Sequence, residues 1–246
     1  MQVAFDFGQT SGLTLVQNRL RKVFRPTTDG VRREPVAQLV RSLLGARTYD
    51  AVSESAFQRL IQAYPNWDAL AAASPADIEA IISNVTFADA KAKFVVQALK
   101  GVRARAGGYD LHFLGDWPVT PALAWLEQLA GVGRKVAAAT LNFSTLRRPS
   151  LVIETNVLRV LKRLGFVNPA ADIPSAYDRI MPSLAHWNAD EIFELHVLLK
   201  KTGQLICKHD EARCAMCPLE SLCPKIGVTA KQPFKTRSVI PMERRQ

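Results

Sequence analysis

All four cysteines of this 246-residue chain fall inside one run of 17 residues, CKHDEARCAMCPLESLC, as Cys207, Cys214, Cys217 and Cys223, with gaps of six, two and five residues. Nothing else in the sequence restricts the fold so tightly, because this short stretch must wrap around whatever its thiols hold. Disulfides explain it poorly. Thiols packed this closely, in a chain whose MQVAFDFGQT start has no basic-then-apolar secretory pattern, point to a reducing compartment and a metal site. Zinc usually takes two knuckles, each a close cysteine pair, and here only Cys214 and Cys217 form one. Unequal gaps suit a cube-shaped iron–sulfur cluster, whose corners are reached from different directions. Zinc stays open as the second reading. Four thiolate ligands leave no free position for chemistry, so the expected role is structural.

The rest of the composition is that of an ordinary globular chain, with 48% apolar and 22% charged residues. Disorder and low-complexity classes are excluded, since there is enough apolar material to offset chain entropy. No apolar run approaches the roughly 18–20 residues of a membrane span, and a cytoplasmic location is the expectation. The net charge is +10, and its distribution is uneven. Residues 1–33 carry a basic surplus of four and residues 225–246 a surplus of five, while the body between them is close to neutral. A polyanion such as nucleic acid is one natural partner; basic ends that aid solubility are the plainer alternative. Specific contacts within the near-neutral body must come from local geometry.

Helix signals recur along the chain and strand signals nearly vanish after residue 20, so the fold class is all-α. Val36, Leu39, Leu43 and Leu44 share one helical stripe. Ser74-Pro75 reads as a cap followed by proline at the first helical position, and Thr120-Pro121 repeats it. A helix over 91–105 ends at Gly107-Gly108. Residues 133–143, about 154–164, about 175–183 and about 189–202 complete the set. Val3, Phe5 and Phe7 alternate ahead of GQTSG, which leaves room for a small N-terminal β-hairpin.

The most informative stretch is LEQLAGVGRKVAAATL, residues 126–141. One helix ends at Leu129, Gly131-Val132-Gly133 turns tightly, and a second helix starts at once with Arg134 and Lys135. Glycine permits positive φ and close backbone approach. The unpaired N–H groups at the start of the second helix form an anion site that fits a DNA phosphate; an αα-hairpin with glycines for packing only is the alternative. Lys135 lies in the first turn, where the positive end of the macrodipole and any burial lower its pKa. It is either an amine nucleophile competent for a Schiff base or one more phosphate contact.

Hairpin, lysine and cysteine run together, in this order, resemble the endonuclease III family of DNA glycosylases within the helix-hairpin-helix superfamily, over residues 28–224. LLGARTYD (43–50) resembles an early helix-and-loop segment, NVTFADAKAK (84–93) the loop before a middle helix, and VIETNVLRV (152–160) the segment with the catalytic carboxylate. The cysteine gaps resemble the family's [4Fe–4S] ligation by Cys207, Cys214, Cys217 and Cys223.

The resemblance implies a two-lobed helical fold: a six-helix bundle over 28–147, a cluster lobe from 1–27 and 148–224, and a basic tail over 225–246. It implies a monomer that binds double-stranded DNA across the cleft, with a damaged or mismatched base flipped into a pocket. Lys135 falls on the nucleophile that attacks the sugar C1′, expels the base and goes on to nick the strand by β-elimination. Glu154 falls on the carboxylate, and Arg47, Gly131, Gly133, Arg134, Lys208 and Arg213 on DNA-contacting positions. The chain departs from the pattern in several places. Glu154 stands for aspartate, keeping the charge but adding a methylene, and is expected to cap its helix poorly. Asn156 stands for histidine. Arg47 stands for the glutamine that fills the gap left by a flipped base. Asp210 and Glu211 dilute the positive loop around Lys208 and Arg213. The activity implied is base excision with apurinic/apyrimidinic lyase chemistry; a monofunctional glycosylase and a non-catalytic DNA-structure-binding protein are the alternatives. Phe87 and the four tryptophans are expected to be buried, and His186 and His196 to be helix or interface residues rather than ligands.

Overall fold

Cap chemistry decides where the helices begin. The structure is a computed structural model describing residues 8–25 and 32–228. Among these residues there are eleven α-helices and no β-strand: α1 (Gln9–Phe24), α2 (Pro35–Leu44), α3 (Asp50–Ala63), α4 (Trp67–Ala72), α5 (Pro75–Ile81), α6 (Ala88–Ala106), α7 (Val119–Glu127), α8 (Arg134–Phe143), α9 (Thr155–Arg163), α10 (Ile173–Ile180) and α11 (Ala189–Leu205). Ser74 Oγ accepts from Asp77 N and so opens α5 as the sequence predicts. Reciprocal capping boxes, Asp172 with Ser175 and Asn188 with Glu191, start α10 and α11. Gly107, left-handed at φ 74°, ends α6 and donates to Arg103 O. No described helix is long and apolar enough to cross a membrane.

Three expectations are corrected. GQTSG does not turn the chain; Gly8 caps α1, whose Leu13, Val16 and Leu20 are buried as one stripe where α1 packs on α11. A four- and three-residue apolar spacing thus overrides the glycines, while Val3, Phe5 and Phe7 lie outside the described residues. α7 begins at Val119 rather than after Thr120, because Pro121 tolerates any first-turn position, where its missing N–H has no acceptor to lose. α10 starts two residues early and continues as a 3₁₀ turn over Met181–Leu184.

α8 lies at the centre. Every residue from Val136 to Asn142 is buried, so this helix has no solvent face beyond its first turn. Its run of alanines lets α2 lie close alongside it, and α7, α10 and α11 pack against its other sides. α2 in turn contacts α3 and α6, while α4 and α5 pack on α6 and α9 pairs with α11. Of the two glycines in the short α7–α8 turn, only Gly131 is required by the geometry. Gly131 has φ 73°, and a Cβ there would lie 2.5–2.9 Å from the Phe94 side chain, whereas a Cβ on Gly133 would meet nothing within 4 Å.

Gly131→Ala should therefore destabilise the fold by about 2 kcal/mol or more, lowering Tm by roughly 4–8 °C in a chain of this size. Gly133→Ala should leave Tm nearly unchanged, as thermal denaturation of the two variants will register.

Candidate active site

The first turn of α8 opens into a cleft of about 1290 Å³. Its walls come from the loop after α2, the start of α3, the segment entering α9, the inner face of α11 and the residues following it. Arg47, Gly133, Arg134, Lys135, Glu154 and Lys208, distant in sequence, all line it, whereas Gly131 and Arg213 do not.

Lys135 is half-buried, and no hydrogen bond or ion pair engages its Nζ among the described residues. Its pKa is lowered to about 8, first by desolvation and then by the charge of Lys200, with Arg41 acting the same way and Glu154 and Asp50 opposing. Roughly a tenth of such an amine is unprotonated at pH 7, against about 0.03% for an ordinary lysine. The cationic neighbours come from α2 and α11, so the sequence stretch around Lys135 holds no sign of them. Lys200 is itself held by the Asp50 carboxylate at 2.7 and 2.8 Å. Arg41 donates to Glu54 Oε2 at 2.7 Å.

Glu154 is a working helix cap, contrary to expectation. Its Oε1 accepts from Asn156 N and Val157 N, both at 3.0 Å. The extra methylene lets the side chain fold back over the first turn of α9, so the length that makes glutamate a weak cap elsewhere is accommodated here. Its Oε2 accepts from Asn156 Nδ2 at 3.0 Å. His196 lines the same wall. It is buried, hydrogen-bonded through Nδ1 to Val152 O at 2.7 Å, and pushed down to about 4 mainly by desolvation, so it is neutral and tethers the segment leading to Glu154.

Across the cleft, Arg47 and Phe87 both adopt left-handed backbone, with φ 52° and 58°, a costly conformation for non-glycine residues. The Arg47 guanidinium sits 5.9 Å from the Phe87 ring centroid. Phe87 is 55% exposed, which overturns the expectation that it is buried; Trp117, at 38%, is likewise no core residue. The loop is pinned from beneath by Lys91, whose role has no signal in the sequence around it. Its buried Nζ donates to Leu44 O at 2.8 Å, Ala46 O at 2.5 Å and Thr48 Oγ1 at 3.0 Å. Arg134 is already engaged: it pairs with Glu127 at 2.5 Å and Asp178 at 2.7 Å and lies over the Tyr177 ring.

The four cysteines flank Lys208, with Cys207 just before it and Cys214, Cys217 and Cys223 after it. All are half-buried and none forms a disulfide. Burial pushes the Cys217 and Cys223 thiols up, and the charges of the other cysteines add to this, which marks the four as one group. Arg163 Nη1 lies 3.2 Å from Cys207 Sγ and 2.7 Å from Lys208 O, bringing positive charge to a sulfur that metal binding would make a thiolate. Among the described residues no three His, Cys, Asp or Glu side chains converge on a point suited to a single metal ion.

Comparison with known proteins agrees with this architecture. Residues 40–182 match the family described as HhH-GPD superfamily base excision DNA repair protein. Endonuclease III of Thermotoga maritima is 27% identical over 192 residues, 77% of this chain and 83% of that protein. Endonuclease III-like protein 1 of Bos taurus is 30% identical over 195 residues, 79% of this chain but only 59% of that longer protein. Among solved structures, a trapped endonuclease III–DNA covalent intermediate superposes with TM-score 0.72 at 23% identity, covering 88% of this chain and 96% of that one. The chain belongs to the endonuclease III family of the HhH-GPD base-excision DNA glycosylases.

Proposed function

We propose that this glycosylase is bifunctional, excising a damaged base and cleaving the strand at the resulting abasic site, with Lys135 as nucleophile. The observation that carries this reading is the Lys135 amine itself: half-buried, unpaired, lowered to about 8 and lining one cleft with the Glu154 carboxylate. A neutral amine can attack C1′ of deoxyribose. As the new C–N bond forms, the bond to the base breaks, and the carboxylate of Glu154 stabilises the positive charge that develops on the sugar. Opening of the sugar ring gives a Schiff base; loss of a C2′ proton then expels the 3′-phosphate. A structurally similar endonuclease III, captured as a covalent intermediate with DNA, supports the same route.

Duplex DNA is the partner in this reading. Backbone N–H groups at the turn around Gly131 and Gly133 and at the start of α8, which no side chain caps, face phosphate. Lys208 and Arg213 add charge, and Arg134 contributes chiefly by holding α8 to α10. Arg47 and Phe87, exposed and backed by Lys91, suit insertion where a base has left the stack. The cluster would be held by Cys207, Cys214, Cys217 and Cys223, and its part is to anchor the segment after α11. The packing of α1 on α11 supports a lobe built from 1–27 and 148–224 beside one built from 28–147.

Borohydride should trap a covalent adduct between the protein and an abasic duplex, and Lys135→Ala should abolish it; free base released with no adduct would instead identify a monofunctional glycosylase, and tight binding with no turnover a DNA-structure-binding protein. The trapping rate should rise about tenfold per pH unit and level off above about pH 8, because the lowered pKa leaves the amine protonated below that value. Removing the neighbouring charge in Lys200→Gln should move this inflection to higher pH, since Lys200 lowers the Lys135 pKa and an unpaired Asp50 would raise it. Protein purified without oxygen should contain about four iron atoms per chain with visible absorption, both lost in Cys214→Ala; one zinc per chain would overturn the cluster assignment.

A further inference from the structure

We propose that Asn156 is a positioning residue for the Glu154 carboxylate, and that glutamate at 154 and asparagine at 156 form one compensated device. The inference rests on the catalytic reading of Glu154 given above. Each carboxylate oxygen is held separately. Oε1 takes the two backbone N–H groups of the α9 first turn, and Oε2 takes the Asn156 side-chain amide at 3.0 Å and the Thr155 hydroxyl at the longer distance of 3.3 Å.

The orientation of that amide follows from its other contact. Asn156 Oδ1 accepts from Arg159 Nη2 at 2.8 Å. A guanidinium only donates, so the oxygen of the asparagine must face Arg159 and its NH₂ must face Glu154. Arg159 is itself fixed, by Gly203 O at 2.7 Å and Cys207 O at 2.8 Å. The base of the device is a close crossing of α9 and α11. A Cβ on Gly203 would lie 2.7 Å from Asn156 Cβ and 2.9 Å from its carbonyl oxygen, so the first turn of α9 rests directly on the backbone of α11. Glutamate carries one more rotatable bond than aspartate. Without the amide its second oxygen would keep only the long contact from the exposed Thr155 hydroxyl; the amide narrows that freedom and aims the charge into the cleft. The two departures from the family pattern at 154 and 156 are then linked, the longer acid requiring the amide that restrains it.

A double-mutant cycle tests this with the full-length protein and an abasic duplex, in single-turnover nicking. Asn156→Ala should lower the maximal rate about tenfold or more while the concentration of DNA giving half that rate changes less than about twofold, as expected for a misplaced catalytic group. Asn156→Asp, which keeps an acceptor for Arg159 but loses the donor, should do the same, and it guards against a loss of folding in the alanine variant. Glu154→Asp and Asn156→His should each lower the rate, and the two together should return it to within about threefold of the parent. Rates in Asn156→Ala and Asn156→Asp within about twofold of the parent, or losses in the pair that simply multiply, would overturn the proposal. Glu154→Gln separates the two levels. If Glu154→Gln nicks as fast as the parent, the catalytic reading fails and takes this inference with it. If Glu154→Gln is inactive while the Asn156 variants are unaffected, this inference fails alone.

Discussion

Burial of α8 on every side but its first turn is the constraint from which the remaining features follow. A helix enclosed by α2, α7, α10 and α11 can expose polar groups only at an end. Ala137, Ala138 and Ala139 keep its girth small, so its neighbours close around it and the N-terminal turn becomes the floor of a cleft. Lys135 sits on that floor. Its lowered basicity is therefore a product of packing first and of charge second, in the order desolvation and then Lys200.

The charges nearest this amine are fixed by ion pairs. Lys200 and Arg41 press its proton off, while Lys200 pairs with Asp50 and Arg41 with Glu54, a carboxylate it shares with Arg33. Nine lysine and arginine side chains line the cleft against two carboxylates, Asp50 and Glu154, so positive charge gathers here within a body that is nearly neutral once the basic ends are set aside. His196, buried and uncharged, holds the chain leading to Glu154 without adding to the field.

The two lips of the cleft are stiffened by buried cations working on backbone carbonyls. Lys91 gathers the carbonyls at the end of α2 and so holds the loop in which Arg47 takes its strained, exposed pose. Arg163 and Arg159 gather the carbonyls of residues 203 and 207–209, joining the cysteine segment to α9. In both places an internal charge satisfies carbonyls that a helix end leaves without partners, and a loop that would otherwise drift keeps one shape.

Most helix boundaries were legible because capping is local: Ser74-Pro75, Gly107 and the glycine turn at 131–133 signal through neighbours in sequence. α3 was not anticipated, since its buried stripe includes Ser53 and Ala56, which do not stand out as apolar. The glycines near residue 8 misled because the stripe that decides α1 lies further along. At the site, motif and order sufficed to single out Lys135, Glu154, Arg47 and the cysteines as residues to watch. Asp50, Lys200, Arg41, Lys91 and Arg159 could not be found that way, because each acts across at least two elements, through a charge or hydrogen bond whose partner is dozens of residues away. The sequence by itself determined which local elements form and which side chains are chemically able to act. Tertiary structure alone decided the environment of those side chains, since desolvation and Coulomb interactions depend on distance in space, and only the packing of α2, α3, α9 and α11 around the end of α8 brings the interacting groups within range.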